Sequence, residues 1–264
     1  MDGAAAGPGV LTLLAGTLTL RPYVFVFLAA FLVAASRDLG PGRTAGFLGW
    51  GWLVAFAAEY ASTRVGVPFG LYHYTESTRH VELFLANVPF FDSLSFPFLA
   101  YAAYCAARAA RGTGRGAGAV GLAGVLMMLL DVVIDPLAVR GERWFLGRIF
   151  YYPEGGVYFG VPLSNFGGWA VVGWVIVGGY VRAAGRAPAG SPAAGVGLYA
   201  GVLLFNLALT AWIGEWALLG AGILVHAATF LVLYTAAVAR RSAARAARPG
   251  VRPASASGGG DSRG

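Results

Sequence analysis

The run Ala119–Ile134, AVGLAGVLMMLLDVVI, is apolar but for one aspartate, and it is one of seven such stretches. Their recurrence constrains this chain more than any other feature. About 20 mostly apolar residues cross a bilayer core as a helix. In lipid the backbone must satisfy its own hydrogen bonds, which leaves helices or a closed barrel. The stretches lie near Tyr23–Ser36, Thr44–Ala61, Asp92–Ala109, Gly118–Ile134, Ser164–Val181, Ala194–Ile213 and Glu215–Ala239. The expected fold is all-α: a polytopic transmembrane helical bundle of about seven spans, forming one domain over residues 1–242. Only 12% of residues are charged, about half the fraction usual in a soluble domain. Glycines inside the stretches (Gly121, Gly124, Gly173, Gly178, Gly179) suit close helix contact in lipid.

Val10–Leu20 is apolar but too short to span, and Arg21-Pro22 interrupts it. Residues 8–20 therefore read as a short interfacial or re-entrant helix. No arginine precedes that stretch, so it does not read as a cleaved signal. Residues 243–264 are rich in Arg, Ala, Gly and Ser without apolar periodicity, and are expected to form a disordered cytoplasmic tail. The single cysteine, Cys105, allows neither an intrachain disulfide nor a zinc cluster. No nucleotide loop, haem motif or metal cluster is present, so the expectation is no cofactor and no metal.

All 19 basic side chains are arginines, giving a net charge of +7. Their positions point to membrane topology rather than nucleic acid. With seven spans, Arg37, Arg43, Arg108, Arg111, Arg115, Arg182, Arg186 and the tail arginines fall on one side. That side is cytoplasmic by the positive-inside rule, and the N-terminus faces out. The expected location is the cell membrane, as in a bacterial inner membrane. The acids sort the other way. Glu59, Glu76, Glu82, Asp92, Asp131, Asp135, Glu142, Glu154 and Glu215 lie at the opposite helix ends or in the two long loops there.

Asp131 and Asp135 are one helical turn apart and share a face. Pro136 disfavours helix at Asp135, so the helix is expected to end there, with Asp131 a turn deeper. An intramembrane acid usually faces the bundle interior and has a role. Burial and the negative helix end both disfavour the anion, which makes Asp131 the expected proton donor, alone or with Asp135. The bland reading is an interfacial acid paired with Arg140 or Arg143. Glu59 has the same setting, and its bland reading is a structural hydrogen bond. Asp92 reads as a helix N-cap and so as an anion. Such a division of acid and base suits a proton-transfer site. Asn165 sits at a helix start, where it either caps or orients a water. His73 lies between Tyr72 and Tyr74, and more often such a histidine is structural. The aromatics read first as an interfacial belt. Tyr72, Tyr74, Tyr158 and Trp169 are also candidates to line a slot for a long polyene and to hold a carbocation by cation–π contact.

Four blocks, AAEYASTRVGVPFGLYHYTES, VPFFDSLSFPFLAYAAY, LLDVVIDPLA and YYPEGGVYFGVPLSNFGGW, occur in this order within residues 22–240. Together they resemble the membrane carotenoid-biosynthesis family. Its characterised members are carotenoid 1,2-hydratases of the γ-carotene and bisanhydrobacterioruberin type. The resemblance implies addition of water across the terminal 1,2 double bond of an acyclic or monocyclic carotenoid. The partners it implies are that carotenoid, water and other membrane enzymes of the pathway. The family's acidic positions match Glu59, Asp92, Asp131 and Asp135, and its asparagine matches Asn165. The chemistry needs an acid to protonate the alkene, support for a tertiary cation, and a group to place water. Three rivals stand beside it. A membrane prenyltransferase is suggested by the Asp131/Asp135 spacing, but a second aspartate cluster is missing. An end-group cyclase starts with the same protonation. A proton-linked carrier or carotenoid-binding scaffold would be non-enzymatic.

Overall fold

A computed structural model describes residues 7–185 and 188–246. Helices α1 (Val10–Leu20) and α2 (Pro22–Asp38) meet at 87° across Arg21. Pro22 opens α2, where its missing N–H leaves no bond unmade. α1 is the short N-terminal helix expected over 8–20. It docks on the loop before residue 85: Leu83 N–H donates to Thr17 Oγ1 at 2.8 Å. Gly16 lies so close to this loop that a Cβ there would come within 1.8 Å of the Val81 carbonyl oxygen.

The remaining helices are α3 (Pro41–Val65), α4 (Phe90–Arg111), α5 (Ala117–Ala138), α6 (Leu163–Ala184), α7 (Ala193–Trp212) and α8 (Trp216–Ala246). With α2 they correspond to the seven apolar stretches, and the protein is a helical membrane bundle. α5, α6, α7 and the Trp216–Arg240 part of α8 are each long and apolar enough to cross a bilayer, as is the bent α1–α2 pair taken together. α3 and α4 have the length, 25 and 22 residues, but carry charged side chains near both ends.

α4 is the axis, packed against α2, α3, α5, α6, α7 and α8. Its alanines at 100, 102, 103, 106 and 107 are buried and let the surrounding helices approach. α5 and α6 cross at glycine: a Cβ on Gly173 would lie 2.9 Å from the Gly124 Cα. Gly179 likewise admits Trp50, whereas Gly121 faces open space.

Two boundaries differ from expectation. α5 does not stop at Asp135 but runs through Pro136 to Ala138. Proline deprives the carbonyl four residues earlier of its donor. Beyond it the turn closes anyway: Val139 N–H donates to the Asp135 carbonyl at 2.9 Å, and the Arg140 guanidinium donates to the Pro136 carbonyl at 2.8 Å. At the other end, α8 runs past 242 to Ala246. The rest of the tail expected to be disordered, 247–264, lies outside the described residues.

The two ends of the bundle are chemically distinct. At one, Arg108 pairs with buried Asp38 and donates to the Gly190 carbonyl at 2.9 Å, tying the α6–α7 connection to α2 and α4. Removing one partner of such a buried pair costs about 3–5 kcal/mol. Arg37, Arg43, Arg111, Arg182 and Arg240 belong to this end. At the other end the long loops 66–89 and 139–162 form a cap. Strand β1 (His73–Tyr74) pairs antiparallel with β4 (Phe150–Tyr151), and β2 (Phe84–Leu85) pairs with β3 (Val88–Pro89).

Candidate active site

The cap and four helix ends converge on one cluster of carboxyls. α3 brings Glu59, α4 brings Asp92, and α5 brings Asp131 and Asp135. α6 brings Asn165 and Trp169 from its first turns. Strand alternation sorts the cap residues. Tyr72, Tyr74, Phe150 and Tyr152 are buried and face inward, while His73 and Tyr151 face out. Gly168 makes room beneath the cap, since a Cβ there would meet Phe69 at 2.6 Å.

Asn165 holds the α5 pair. Its Nδ2 carries two hydrogens and donates to Asp131 Oδ2 and to Asp135 Oδ2, each at 2.7 Å. Trp169 Nε1 donates to the same Asp135 oxygen at 3.3 Å. Two N–H groups can only donate, so Asp135 Oδ2 is fixed as an acceptor. The Trp169 ring is itself fixed, stacked on Phe96 with centroids 4.3 Å apart. Asn165 lies within the first turn of α6 and makes no cap bond there. The capping reading of it gives way to the bridge.

Asp92 and Glu59 meet at a phenol. Tyr74 Oη lies 2.6 Å from Asp92 Oδ2 and 3.0 Å from Glu59 Oε1. Tyr72 Oη is 3.4 Å away, and Ser93 Oγ donates to Glu59 Oε2. The expectation that Asp92 caps α4 is corrected: Pro89 occupies that position, and no side-chain cap bond is made. Pro89-Phe90-Phe91 start the helix earlier, which moves Asp92 inside the first turn and turns its carboxyl toward Tyr74. Burial, then the neighbouring Asp92 and Glu59 carboxyls, push the Tyr74 phenol well above the ordinary tyrosine range. Burial does the same to Tyr72.

Two cavities share this cluster. A mostly apolar slot of about 90 Å³ is walled by Tyr23, Phe27, Phe98, Ile134, Trp144 and Phe205, among others. A smaller polar pocket of about 40 Å³ is lined by Glu59, Tyr72, Tyr74, Tyr152 and Asn165. Asp92, Asp135, Phe150 and Trp169 border both. The structure therefore has an apolar chamber and a polar one, with two carboxyls in the partition.

Among the described residues, no arginine pairs with any of the four acids. Arg21, buried nearby, is taken by the Leu146 carbonyl at 2.6 Å and by Glu82 at 3.5 Å. Arg140 and Arg143 both engage Glu215, so the bland pairing of them with Asp131 or Asp135 is not made. Burial raises the Glu82 carboxyl, with Thr78 and Arg21 opposing that shift. Four buried anions without a cation would be prohibitive, so the cluster retains protons of its own. Among the described residues, no three Asp, Glu, His or Cys side chains are arranged to hold a metal ion.

Of the residues singled out from sequence, Glu59, Asp92, Asp135, Asn165, Tyr72, Tyr74 and Trp169 come together. Asp131 lies behind Asn165, fully buried, with Oδ1 unpartnered and no wall in either cavity. His73 packs outside on Tyr151, with ring centroids 5.9 Å apart. Tyr158 packs on Phe159 and Phe166 away from both cavities. Sequence reasoning expected a slot and named Trp169 for it, but passed over most of its lining: Tyr23, Phe27 and Phe205 looked like ordinary span residues. Asn206, an amide in mid-span beside the slot, was the one signal that could have marked it.

The family described as "Carotenoid biosynthesis protein" matches residues 10–236. A bisanhydrobacterioruberin hydratase from Haloarcula japonica is 32% identical over 240 residues, covering 82% of this chain and 78% of that protein. No solved structure matches. The match runs from α1 into α8 and so takes in the partition carboxyls, both cavities and the cap: the chain belongs to the carotenoid biosynthesis protein family.

Proposed function

We propose that the protein is a carotenoid hydratase acting on an acyclic end group. The observation that carries this reading is the partition: Asp92 and Asp135 face both an apolar slot and a polar pocket. The relative's name, a hydratase of a carotenoid, agrees with it. The slot takes the end of a polyene, and the pocket supplies water at the same two carboxyls.

The steps follow from the donors. Asp92 gives a proton to carbon 2 of the terminal trisubstituted alkene. A C–H bond forms, the π bond breaks, and carbon 1 becomes a tertiary cation. Phe150 and Trp169 border the slot there, and their ring faces support the cation. Water from the polar pocket adds at carbon 1 and loses a proton to Asp135, whose Oδ2 is held as an acceptor by Asn165 and Trp169. The product is a tertiary alcohol. No step needs a cofactor. Asp131 positions Asn165 rather than meeting substrate, which moves the donor role away from the residue the sequence favoured.

The positive-inside rule supports an arginine-rich end facing the cytoplasm and a cluster toward the outer face. A diphosphate substrate would meet four acids and no free arginine at this cluster, which disfavours a prenyltransferase. The deciding experiment is pigment analysis in a host that makes lycopene or γ-carotene, with H₂¹⁸O in a detergent assay. The expected product is heavier by one water and carries the label. An isomer of unchanged mass would mean a cyclase, and a gain of prenyl length a transferase.

A further inference from the structure

We infer that Tyr74 is a proton relay that recharges Asp92 from Glu59 between turnovers. The inference rests on the hydratase reading. In that reaction Asp92 ends as the anion and Asp135 as the acid. Water has supplied both the new hydroxyl and the proton now on Asp135. The cycle closes only when one proton travels from Asp135 back to Asp92. The apolar slot offers no path, since it lacks a chain of hydroxyls. The polar pocket offers one, because Asp135, Glu59, Tyr74 and Asp92 all border it.

The geometry at Tyr74 is that of a relay. A phenol has one hydrogen and two lone pairs. Its oxygen lies between Asp92 Oδ2 at 2.6 Å and Glu59 Oε1 at 3.0 Å. One hydrogen serves only one of these carboxyls. The other must therefore donate to the phenol. With Tyr74 donating over the shorter contact to Asp92, Glu59 is the donor. As Glu59 passes its proton to the phenol oxygen, the phenol passes its own to Asp92. Tyr74 begins and ends neutral, as its burial requires. Glu59 is then refilled from Asp135 through pocket water. A cavity of about 40 Å³ has room for a few waters, since one water needs about 10–15 Å³ of such space.

The supporting residues fit this task. Ser93 Oγ holds Glu59 Oε2, which leaves Oε1 for Tyr74. The ladder pairing of Tyr74 with Phe150 fixes the phenol under the cap. Glu59 borders only the polar pocket, while Asp92 borders both cavities. Glu59 is thus a reservoir that never meets substrate.

The test is rapid-mix kinetics on Tyr74→Phe in detergent, with the absorbance of bound carotenoid as the folding control. Asp92 fills slowly during purification, so the first turnover should run at the wild-type rate. Later turnovers should be about 100-fold slower, the lower end of what acid–base groups contribute. The trace should show a burst of one product per folded protein. A small weak acid such as acetic acid should speed the slow phase. Glu59→Gln should give the same burst, and serves if Tyr74→Phe does not fold. Tyr74→Phe cycling at the wild-type rate would overturn the relay. So would a loss that falls equally on first and later turnovers, since that marks a positioning role. A wild-type protein that makes no hydrated product would overturn the hydratase reading itself, and this inference with it.

Discussion

Replacing Asn165 with leucine tests the bridge most directly. The side chains are similar in size, and Asn165 is 1% exposed, so the change removes donors with little change in packing. Two bonds of 2.7 Å are lost. A hydrogen bond to a charged group contributes about 1.5–3 kcal/mol net. Asp135 Oδ2 keeps one donor, Trp169 at 3.3 Å. Asp131 loses its Asn165 donor, and its Oδ1 has no partner among the described residues. Loss of one donor on the proposed base should lower turnover about 10- to 150-fold, at about 1.4 kcal/mol per tenfold. Trp169→Phe removes the longer, weaker contact and should cost only about two- to tenfold. The assay is hydrated product per folded molecule, separated by chromatography, with bound-carotenoid absorbance counting folded protein. If Asn165→Leu hydrates within threefold of wild type, the amide does not orient the base, and the partition mechanism loses its acceptor.

Asp135→Asn should lower turnover about 100- to 10,000-fold, the range for an acid–base group. Asp131→Asn should fall at least tenfold less, because Asp131 borders neither cavity. Equal losses would return the chemistry to Asp131. Gly173→Val should destabilise the fold by about 1–3 kcal/mol through overpacking, seen as a lower thermal midpoint, while Gly121→Ala, facing open space, should leave it unchanged. A reporter fused after Gly264 should be active only in the cytoplasm; activity on the outer side would invert the bundle and the cluster with it.

The apolar runs announced the helices, because hydropathy alone dictates what can stay in a bilayer. The gathering of acids at one end was also legible, since loop and helix ends alternate sides. The particular bonds were not. Asp92 looked like a cap because the sequence shows aspartate before a helical run, but Pro89 starts that helix three residues earlier. Asp131 was the expected donor, alone or with Asp135, because depth is readable from the chain; its neighbour Asn165 is not. Only the fold shows Asn165 joined to both Asp131 and Asp135, and Asp131 lining neither cavity. The facing of His73 depends on its pairing with Tyr151, 78 positions away, and no local pattern contains that register.

The position of α4 has a consequence for how the protein is made. This helix is enclosed by six others, and its alanines, tyrosines and terminal charges leave it outside the set apolar enough to cross a membrane alone. An insertion machinery that reads one segment at a time has little reason to release it into lipid. α4 is also synthesised before α5, α6, α7 and α8, four of the helices that enclose it. Its integration must then wait on later segments, and a chain cut short after α4 should be found as a target of membrane quality control rather than as a smaller bundle.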